Sequence, residues 1–308
     1  MKTFGRVLTA MVTSFNSDGS VNIENCIDIA NYLLDNGSDG LVVCGTTGEN
    51  PTMSRDEKLA LFNAIAKECG HKGSIIANVG SNDTKASADF VKEVSKIDGI
   101  DGLLVVVPYY NKPNQQGQYF HFKTIAEATT LPIMVYNVPS RVGTGIFPTT
   151  LVQLHNEYPH ICAIKEASGN LMIASEIKRL MPGDDFMVYS GDDGLTLPML
   201  SVGGCGVVSV VSHVAGKDMN AMIQAYESGH NHEAIRIHQA LSEIIKAMFI
   251  TTNPIPVKYA ARKIGLPVGK FNLPMCEPTA DEAAYIDKAL AEYLKSVSYT
   301  HLRAHETA

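Results

Sequence analysis

Short apolar runs alternate with longer amphipathic segments from the start of the chain to about residue 228. Each short run spans four to seven residues and is almost continuously hydrophobic, which is typical of a parallel strand that is covered on both faces. The pattern predicts eight strands, at residues 7–13, 40–44, 74–79, 102–107, 133–136, 161–165, 186–190 and 206–210.

The segments between these runs have the spacing of helices. In the first of them Ile27, Ala30 and Leu34 recur on one helical face, and the second opens with Ser54 and Glu57, the polar positions of an S-x-x-E capping box. Eight alternations favour an α/β fold closed as a (β/α)8 TIM barrel over an open doubly wound sheet. No G-x-G-x-x-G motif follows the first strand, which argues against a dinucleotide-binding fold.

After residue 230 the rhythm changes, because residues 232–249, 256–264 and 279–294 have helical patterns with no strand between them. We expect a barrel at 1–230 and a C-terminal three-helix appendage at 231–297 that belongs to the same domain. The last stretch, 298–308 (SYTHLRAHETA), has no apolar periodicity and resembles a translated sequencing adapter. We interpret it as a non-native tail and leave it out of the fold.

Composition narrows the class of protein. A net charge of −7 without any Lys/Arg run disfavours nucleic-acid binding. No apolar stretch has the length of a membrane span, and the first residues lack a signal-peptide core. The six cysteines form no C-x-x-C pair and mostly have apolar neighbours, which predicts buried free thiols in a reducing cytoplasm rather than disulfides or a zinc site.

In a TIM barrel the reactive residues come from the C-terminal ends of the strands and the loops after them. The second predicted strand is followed by residues 45–49, Gly-Thr-Thr-Gly-Glu. The hydroxyls of Thr46 and Thr47 and the backbone N–H groups could hold an anion, because glycine lets the backbone approach a ligand closely. A plain strand-to-helix turn would use the same residues.

Two further predicted strands end in tyrosine, one in PYYN (108–111) and the other in YNVPSR (136–141). A tyrosine at a strand end is often rim packing with its hydroxyl in water. Here Tyr110 and Tyr136 lie at two strand ends, and Arg141 follows one of them, which indicates a polar site instead. A guanidinium is suited to bidentate binding of a carboxylate.

Lys165 closes an apolar strand, an unusual place because an unpaired buried ammonium is costly. Side chains alternate along a strand, so Lys165 shares its face with Ala163 and Ala167. If that face points inward, the small neighbours leave room and desolvation favours the neutral, nucleophilic amine. Two alternatives remain: a lysine that points outward, and a lysine paired with an acid such as Glu49.

Five motifs together resemble one family, the pyruvate-dependent class I aldolases and lyases that include dihydrodipicolinate synthase and N-acetylneuraminate lyase. The resemblance covers about residues 3–294 and rests on GTTGE (45–49), PYYN (108–111), YNVPSR (136–141), IKEASG (164–169) and SGDD (190–193), in the order and spacing of that family. The combination is specific, although no single motif is.

The resemblance implies a role for each site residue. Lys165 would form an imine with pyruvate, so that no further cofactor and no metal are expected. Tyr136 would relay protons, and Thr46 and Thr47 would hold the pyruvate carboxylate. Tyr110 would complete the proton relay from a neighbouring subunit of a homotetramer, where it would pair with Thr46.

The same resemblance places the backbone carbonyl of Val208 in the pocket. It favours the dihydrodipicolinate synthase branch, because the loop after Tyr136 reads Asn-Val-Pro-Ser-Arg and GTTGE has threonine where the sialic-acid lyases usually have serine. Arg141 would then bind the carboxylate of L-aspartate 4-semialdehyde, in the first step towards diaminopimelate and lysine. Another pyruvate aldolase, such as N-acetylneuraminate lyase or a sugar-acid aldolase, and a non-catalytic keto-acid-binding barrel are the alternatives.

One departure from the family concerns regulation. In lysine-inhibited members an acidic residue from the third helix binds the inhibitor, and here Ala86 occupies the matching position while Arg55 and Lys58 stand where histidines often do. We therefore expect no inhibition by lysine at physiological concentrations.

Three other groups have plainer readings. His230 and His232 lack a third ligand for a metal. The acidic pair in SGDD (192–193) suits an N-cap better than a cation site. NPIP (253–256) is expected to be structural.

Overall fold

The computed structural model of the chain describes residues 4–306, and from residue 297 onward it describes the backbone alone. Its strands form a closed, all-parallel barrel in which each strand pairs with the next and β1 also pairs with β8. The strands are β1 (Val7–Ala10), β2 (Gly40–Val43), β3 (Ser74–Asn78), β4 (Gly102–Val106), β5 (Ile133–Asn137), β6 (Ile161–Glu166), β7 (Met187–Ser190) and β8 (Gly206–Ser209).

Helices surround this barrel. They are α1 (Ile23–Asp35), α2 (Arg55–Cys69), α3 (Thr84–Val94), α4 (Gln115–Ala126), α5 (Pro139–Val142), α6 (Pro148–Glu157), α7 (Leu171–Leu180), α8 (Thr196–Ser201), α9 (Ser212–Glu227), α10 (Asn231–Met248), α11 (Ile255–Lys263) and α12 (Ala280–Glu306). Short 3-10 helices occupy Asn50–Thr52 and Asp193–Leu195.

The eight predicted strands and the closed barrel are confirmed. Almost every strand residue is buried, as expected of strands that pack on side chains inside the barrel and on helices outside it. The capping box is also present: Ser54 accepts from the Glu57 N–H, and the Glu57 side chain accepts from the Ser54 N–H. The first strand ends at Ala10 rather than at residue 13, because Thr13 turns its hydroxyl to the carbonyl of Gly48 at 2.8 Å.

The three predicted C-terminal helices are α10, α11 and α12, and α10 packs against both α9 and α12. The helix α12 continues to Glu306, through part of the stretch interpreted as a tail. Residues 307–308 and the side chains from 297 onward lie outside the described part. The division at residue 230 and the non-native tail stay predictions.

Candidate active site

The carboxyl ends of the strands surround a cavity of about 530 Å³. Thr46 after β2, Asn78 in β3, Tyr109 after β4, and Tyr136 and Arg141 in and after β5 all line it. The barrel has therefore brought residues from four strands, and from three of the five motifs, to one place, although they are up to 95 residues apart. This is the end of the fold at which chemistry is expected.

Lys165 lies beside the wall of this cavity. It is the register partner of Tyr136 across β5 and β6, and its Nζ is 4.4 Å from the centre of the Tyr136 ring. The lysine is only 6% exposed, which excludes an outward, solvated side chain. Within the described residues its ammonium has no hydrogen bond or ion pair, so its closest described partner is an aromatic face.

Glu49 is occupied by a different lysine. Lys258 of α11, which is fully buried, donates from Nζ to Glu49 Oε1 at 2.7 Å and to the carbonyl of Lys270 at 2.6 Å. Burial lowers the pKa of Lys258, and the carboxylate of Glu49 offsets only part of that effect. The alternative in which Lys165 pairs with Glu49 is wrong.

The GTTGE turn leaves backbone N–H donors free, those of Thr46 and Thr47 among them. The N–H groups of Gly48 and Glu49 donate within the turn, to the carbonyls of Gly45 and Thr46, both at 3.1 Å. The N–H groups of Thr46 and Thr47 donate to no acceptor in the described part of the chain. Two adjacent free N–H groups form a small anion-binding nest.

The turn has a backbone conformation that two of its residues disfavour. Cys44 before it and Glu49 at its end both have φ of 56°, in the left-handed region that non-glycine residues avoid. A Cβ on Gly48 would lie 3.0 Å from Thr13 Oγ1 and 3.2 Å from the carbonyl of Met11. Close packing on the segment that follows β1 therefore favours glycine at position 48.

A residue from the C-terminal helices joins this turn to the arginine. Asn253 donates from Nδ2 to the hydroxyl of Thr47 at 2.9 Å, and its carbonyl accepts from Arg141 Nη2 at 3.5 Å. We expected the NPIP segment to be structural, with a role in shaping the rim of the barrel mouth as the alternative. The specific contact with Thr47, which spans 206 residues, was not predicted.

The remaining predicted site residues lie elsewhere. Thr47 is buried, and neither it nor Val208 or Lys165 is part of the cavity wall itself. Tyr110 is 89% exposed, with a left-handed φ of 70°, and does not line the cavity of its own chain. Arg55, Lys58 and Ala86 do line it.

The acidic pair after β7 is structural in both members. Asp192 caps the 3-10 helix by accepting from the N–H of Gly194, as predicted, whereas Asp193 is buried and accepts from the N–H groups of Val210 and Val211. Burial raises the pKa of Asp193. The described residues contain no group of three or more side chains able to hold a metal.

All six cysteines are free; Cys205 is half-buried, Cys276 is exposed and the other four are buried. No helix in the described part has both the length and the apolarity to cross a membrane.

A closed parallel barrel with a buried lysine beside a cavity is typical of barrel enzymes that use a lysine amine. Comparison with known proteins identifies the family. The chain belongs to the dihydrodipicolinate synthetase family, whose model matches residues 3–293. A curated relative from Desulforamulus reducens, 4-hydroxy-tetrahydrodipicolinate synthase, is 51% identical over 91% of this chain and 94% of its own length. The predicted family and the predicted lyase activity, 4-hydroxy-tetrahydrodipicolinate synthase, are confirmed at this level.

Solved structures agree. A dihydrodipicolinate synthase from Bacillus anthracis is 43% identical with a TM-score of 0.91, over 94% of this chain and 99% of that one. A dihydrodipicolinate synthase from Cyanidioschyzon merolae, solved with lysine bound, is 44% identical with a TM-score of 0.91, over 94% of this chain and 98% of that one. The TIM-barrel fold with its helical appendage is therefore shared across the family.

Proposed function

We propose that the chain condenses pyruvate with L-aspartate 4-semialdehyde through a Schiff base on Lys165. The observation that carries this proposal is a buried lysine without an acid partner, beside a tyrosine in the wall of a cavity. A lysine amine is the nucleophile that attacks a keto carbonyl in Schiff-base chemistry, and the cavity beside Tyr136 gives a small keto acid a place next to Lys165.

The steps follow from the positions of the side chains. The Lys165 amine attacks C2 of pyruvate, and loss of water leaves an imine. Proton loss from the pyruvate methyl group then gives an enamine, which attacks the aldehyde carbon, and the aldehyde oxygen takes up a proton to become a hydroxyl. The amino group of the aldehyde substrate then attacks the imine carbon and displaces Lys165 as the free amine, which closes the ring of the product. We infer that the hydroxyl of Tyr136 moves protons at these steps. The Tyr136 ring beside Lys165 Nζ, and a hydroxyl without a described hydrogen bond, support this role.

Two groups would hold the carboxylates of the substrates. The free N–H groups of Thr46 and Thr47 suit the carboxylate of pyruvate. The guanidinium of Arg141 is exposed at the cavity rim, with only a 3.5 Å contact to a carbonyl, and suits the carboxylate of the aldehyde. Imine chemistry on Lys165 supplies the electron sink, so the proposal requires no metal and no separate cofactor.

We infer a homotetramer in which Tyr110 completes the site of a neighbouring subunit. Its 89% exposure and left-handed backbone support a tyrosine that is held outward. The free cysteines support a reducing compartment, the cytoplasm. Sedimentation of the chain, with and without Tyr110→Ala, tests the assembly.

The decisive experiment compares aldehyde partners. Pyruvate should be consumed in the presence of L-aspartate 4-semialdehyde and not in the presence of N-acetylmannosamine. Consumption with N-acetylmannosamine alone would instead indicate an aldolase of the sialic-acid lyase type.

A further inference from the structure

Asn253 is anchored at the cavity from outside the barrel. It precedes α11 and is 8% exposed, and its side chain reaches the hydroxyl of Thr47. A second contact lies close by. Lys258, in the helix that Asn253 precedes, is paired with Glu49, two residues after Thr47. The C-terminal helices therefore hold the GTTGE turn at two buried points.

The first of these contacts fixes the direction of a hydrogen bond. A threonine hydroxyl has one proton to donate and two lone pairs to accept with. Because Asn253 Nδ2 donates to Thr47 Oγ1, the hydroxyl acts as an acceptor on that side. Its own proton has no acceptor among the described residues, so Thr47 remains available as a donor to an anion.

The side-chain oxygen of Asn253 indicates that an asparagine at this position is not favoured by folding stability alone. Asn253 Oδ1 is buried and has no hydrogen-bond partner in the described part of the chain. A buried acceptor without a donor destabilises the folded state. The asparagine therefore introduces an unsatisfied atom at the same time as it sets the hydroxyl of Thr47.

We propose that Asn253 is a positioning residue for the pyruvate carboxylate: it makes Thr47 a hydrogen-bond donor and locks the turn that carries the Thr46 and Thr47 N–H groups. This inference rests on the proposed function, in which that turn holds pyruvate. It assigns to the C-terminal helices a part in substrate binding.

The test is Asn253→Asp, which keeps the shape of the side chain. A carboxylate only accepts, so it would take the Thr47 proton and place a negative charge behind the anion site. The pyruvate concentration that gives half-maximal borohydride-trapped adduct should rise about tenfold or more. Half-saturation with L-aspartate 4-semialdehyde should change by less than about twofold, because the carbonyl that contacts Arg141 is retained.

Asn220→Asp is the matched control. Asn220 also donates from Nδ2 to a single acceptor, the carbonyl of Gly37, at 3.1 Å. Gly37 precedes β2, far from the carboxyl ends of the strands. It should leave both half-saturation values unchanged. Equal rises for pyruvate and aldehyde in Asn253→Asp, or a pyruvate value within about twofold of wild type, would overturn the inference.

A double-mutant cycle shows whether Asn253 acts through Thr47. Asn253→Ala carries no charge and serves equally if the aspartate variant does not fold. It should weaken pyruvate binding in the wild-type background and have little further effect in the Thr47→Val background. Additive effects would contradict a role through Thr47.

Failure of the proposed function is recognised separately. If wild type forms no adduct with pyruvate, the Schiff-base mechanism is wrong. If the adduct forms on Lys165 and its pyruvate dependence is insensitive to Asn253, only the present inference is wrong.

Discussion

Two buried lysines lie near the same end of the barrel and have opposite surroundings. Lys258 is enclosed: it is fully buried, bonded to Glu49 and to the carbonyl of Lys270, and its Nζ lies 4.8 Å and 4.9 Å from the ring centres of Phe15 and Phe271. A carboxylate, a carbonyl and two aromatic faces therefore surround this ammonium, and each of them stabilises a positive charge away from water.

Lys165, by contrast, has a tyrosine ring and no described acid. Its strand neighbour Ala163 is fully buried and provides no polar group, and the next residue, Glu166, bonds to Asn137 instead, at 2.7 Å. Burial is therefore almost the same for the two lysines, and the counter-ion differs. If Lys165 is the nucleophile, as proposed, the partner of a buried lysine, more than its depth, separates a structural charge from a reactive amine.

The strongest test of this comparison removes the nucleophile. Lys165→Ala should lower kcat by roughly a thousandfold or more, since the covalent step is lost. Lys165→Arg should not restore activity, because a guanidinium stays protonated and cannot attack a carbonyl. Peptide mass spectrometry after borohydride reduction with pyruvate should find the adduct on Lys165 and not on Lys258; an adduct on Lys258 would reverse the assignment.

Removing the other lysine should affect stability first. Lys258→Met leaves the carboxylate of Glu49 buried and unpaired, which should cost about 3–5 kcal/mol of unfolding free energy. The double variant Lys258→Met, Glu49→Gln should recover much of this loss, because an amide oxygen can still accept the N–H of Asn272 now bound at 3.0 Å. Denaturant unfolding measures both; a loss below about 1 kcal/mol would place the pair among weak surface contacts.

Arg141 tests the outer edge of the site. If it binds the carboxylate of the aldehyde, Arg141→Ala should raise KM for L-aspartate 4-semialdehyde by roughly a hundredfold, or about 2–3 kcal/mol, and KM for pyruvate far less. Initial rates with each substrate varied in turn give the two values. Equal changes would mean that the arginine supports the rim through Asn253 and not the substrate.

The smallest effect is expected from free lysine. The cavity wall offers Arg55, Lys58 and Ala86, but Arg55 is already paired with Glu93 at 2.9 Å, and Lys58 has no described partner. An added ammonium would lie near that unpaired cation, which disfavours binding. Initial rates should be unaffected by lysine below about the millimolar range, a threshold worth roughly 4 kcal/mol of binding; half-inhibition at lower concentrations would refute this.

Local pattern was sufficient for the barrel and drew attention to Lys165, but it left open whether that lysine points outward or pairs with an acid. Eight apolar runs of strand length set the fold, and a charged residue at the end of one of them is visible without any knowledge of contacts. The proposed role of Tyr110 came only from family motifs, because a tyrosine on a rim is locally unremarkable. For Thr47 the glycine-rich turn suggested anion binding, but a plain turn would use the same residues, and only the family motifs indicated pyruvate.

The contacts of Asn253 and Lys258 could not be read from the sequence for a different reason. Each joins residues more than 200 positions apart, and neither leaves a periodic signal. One sign was present: Lys258 interrupts an otherwise apolar buried face of α11, formed with Val257 and Ala261. A lysine on such a face requires an acid in space, but the pattern does not say which one.

The pairing of Glu49 with Lys258 also has a consequence for the chain as it is synthesised, because it joins an early residue to a late one. Chains emerge from the ribosome N-terminus first, so all eight strands are available well before residue 258. Until α11 docks, the carboxylate of Glu49, at the end of the GTTGE turn, lacks the Lys258 cation, and Thr47 lacks its hydrogen bond from Asn253. An incomplete nascent chain that ends before residue 253 would therefore contain the proposed nucleophile without either contact that supports the proposed anion site.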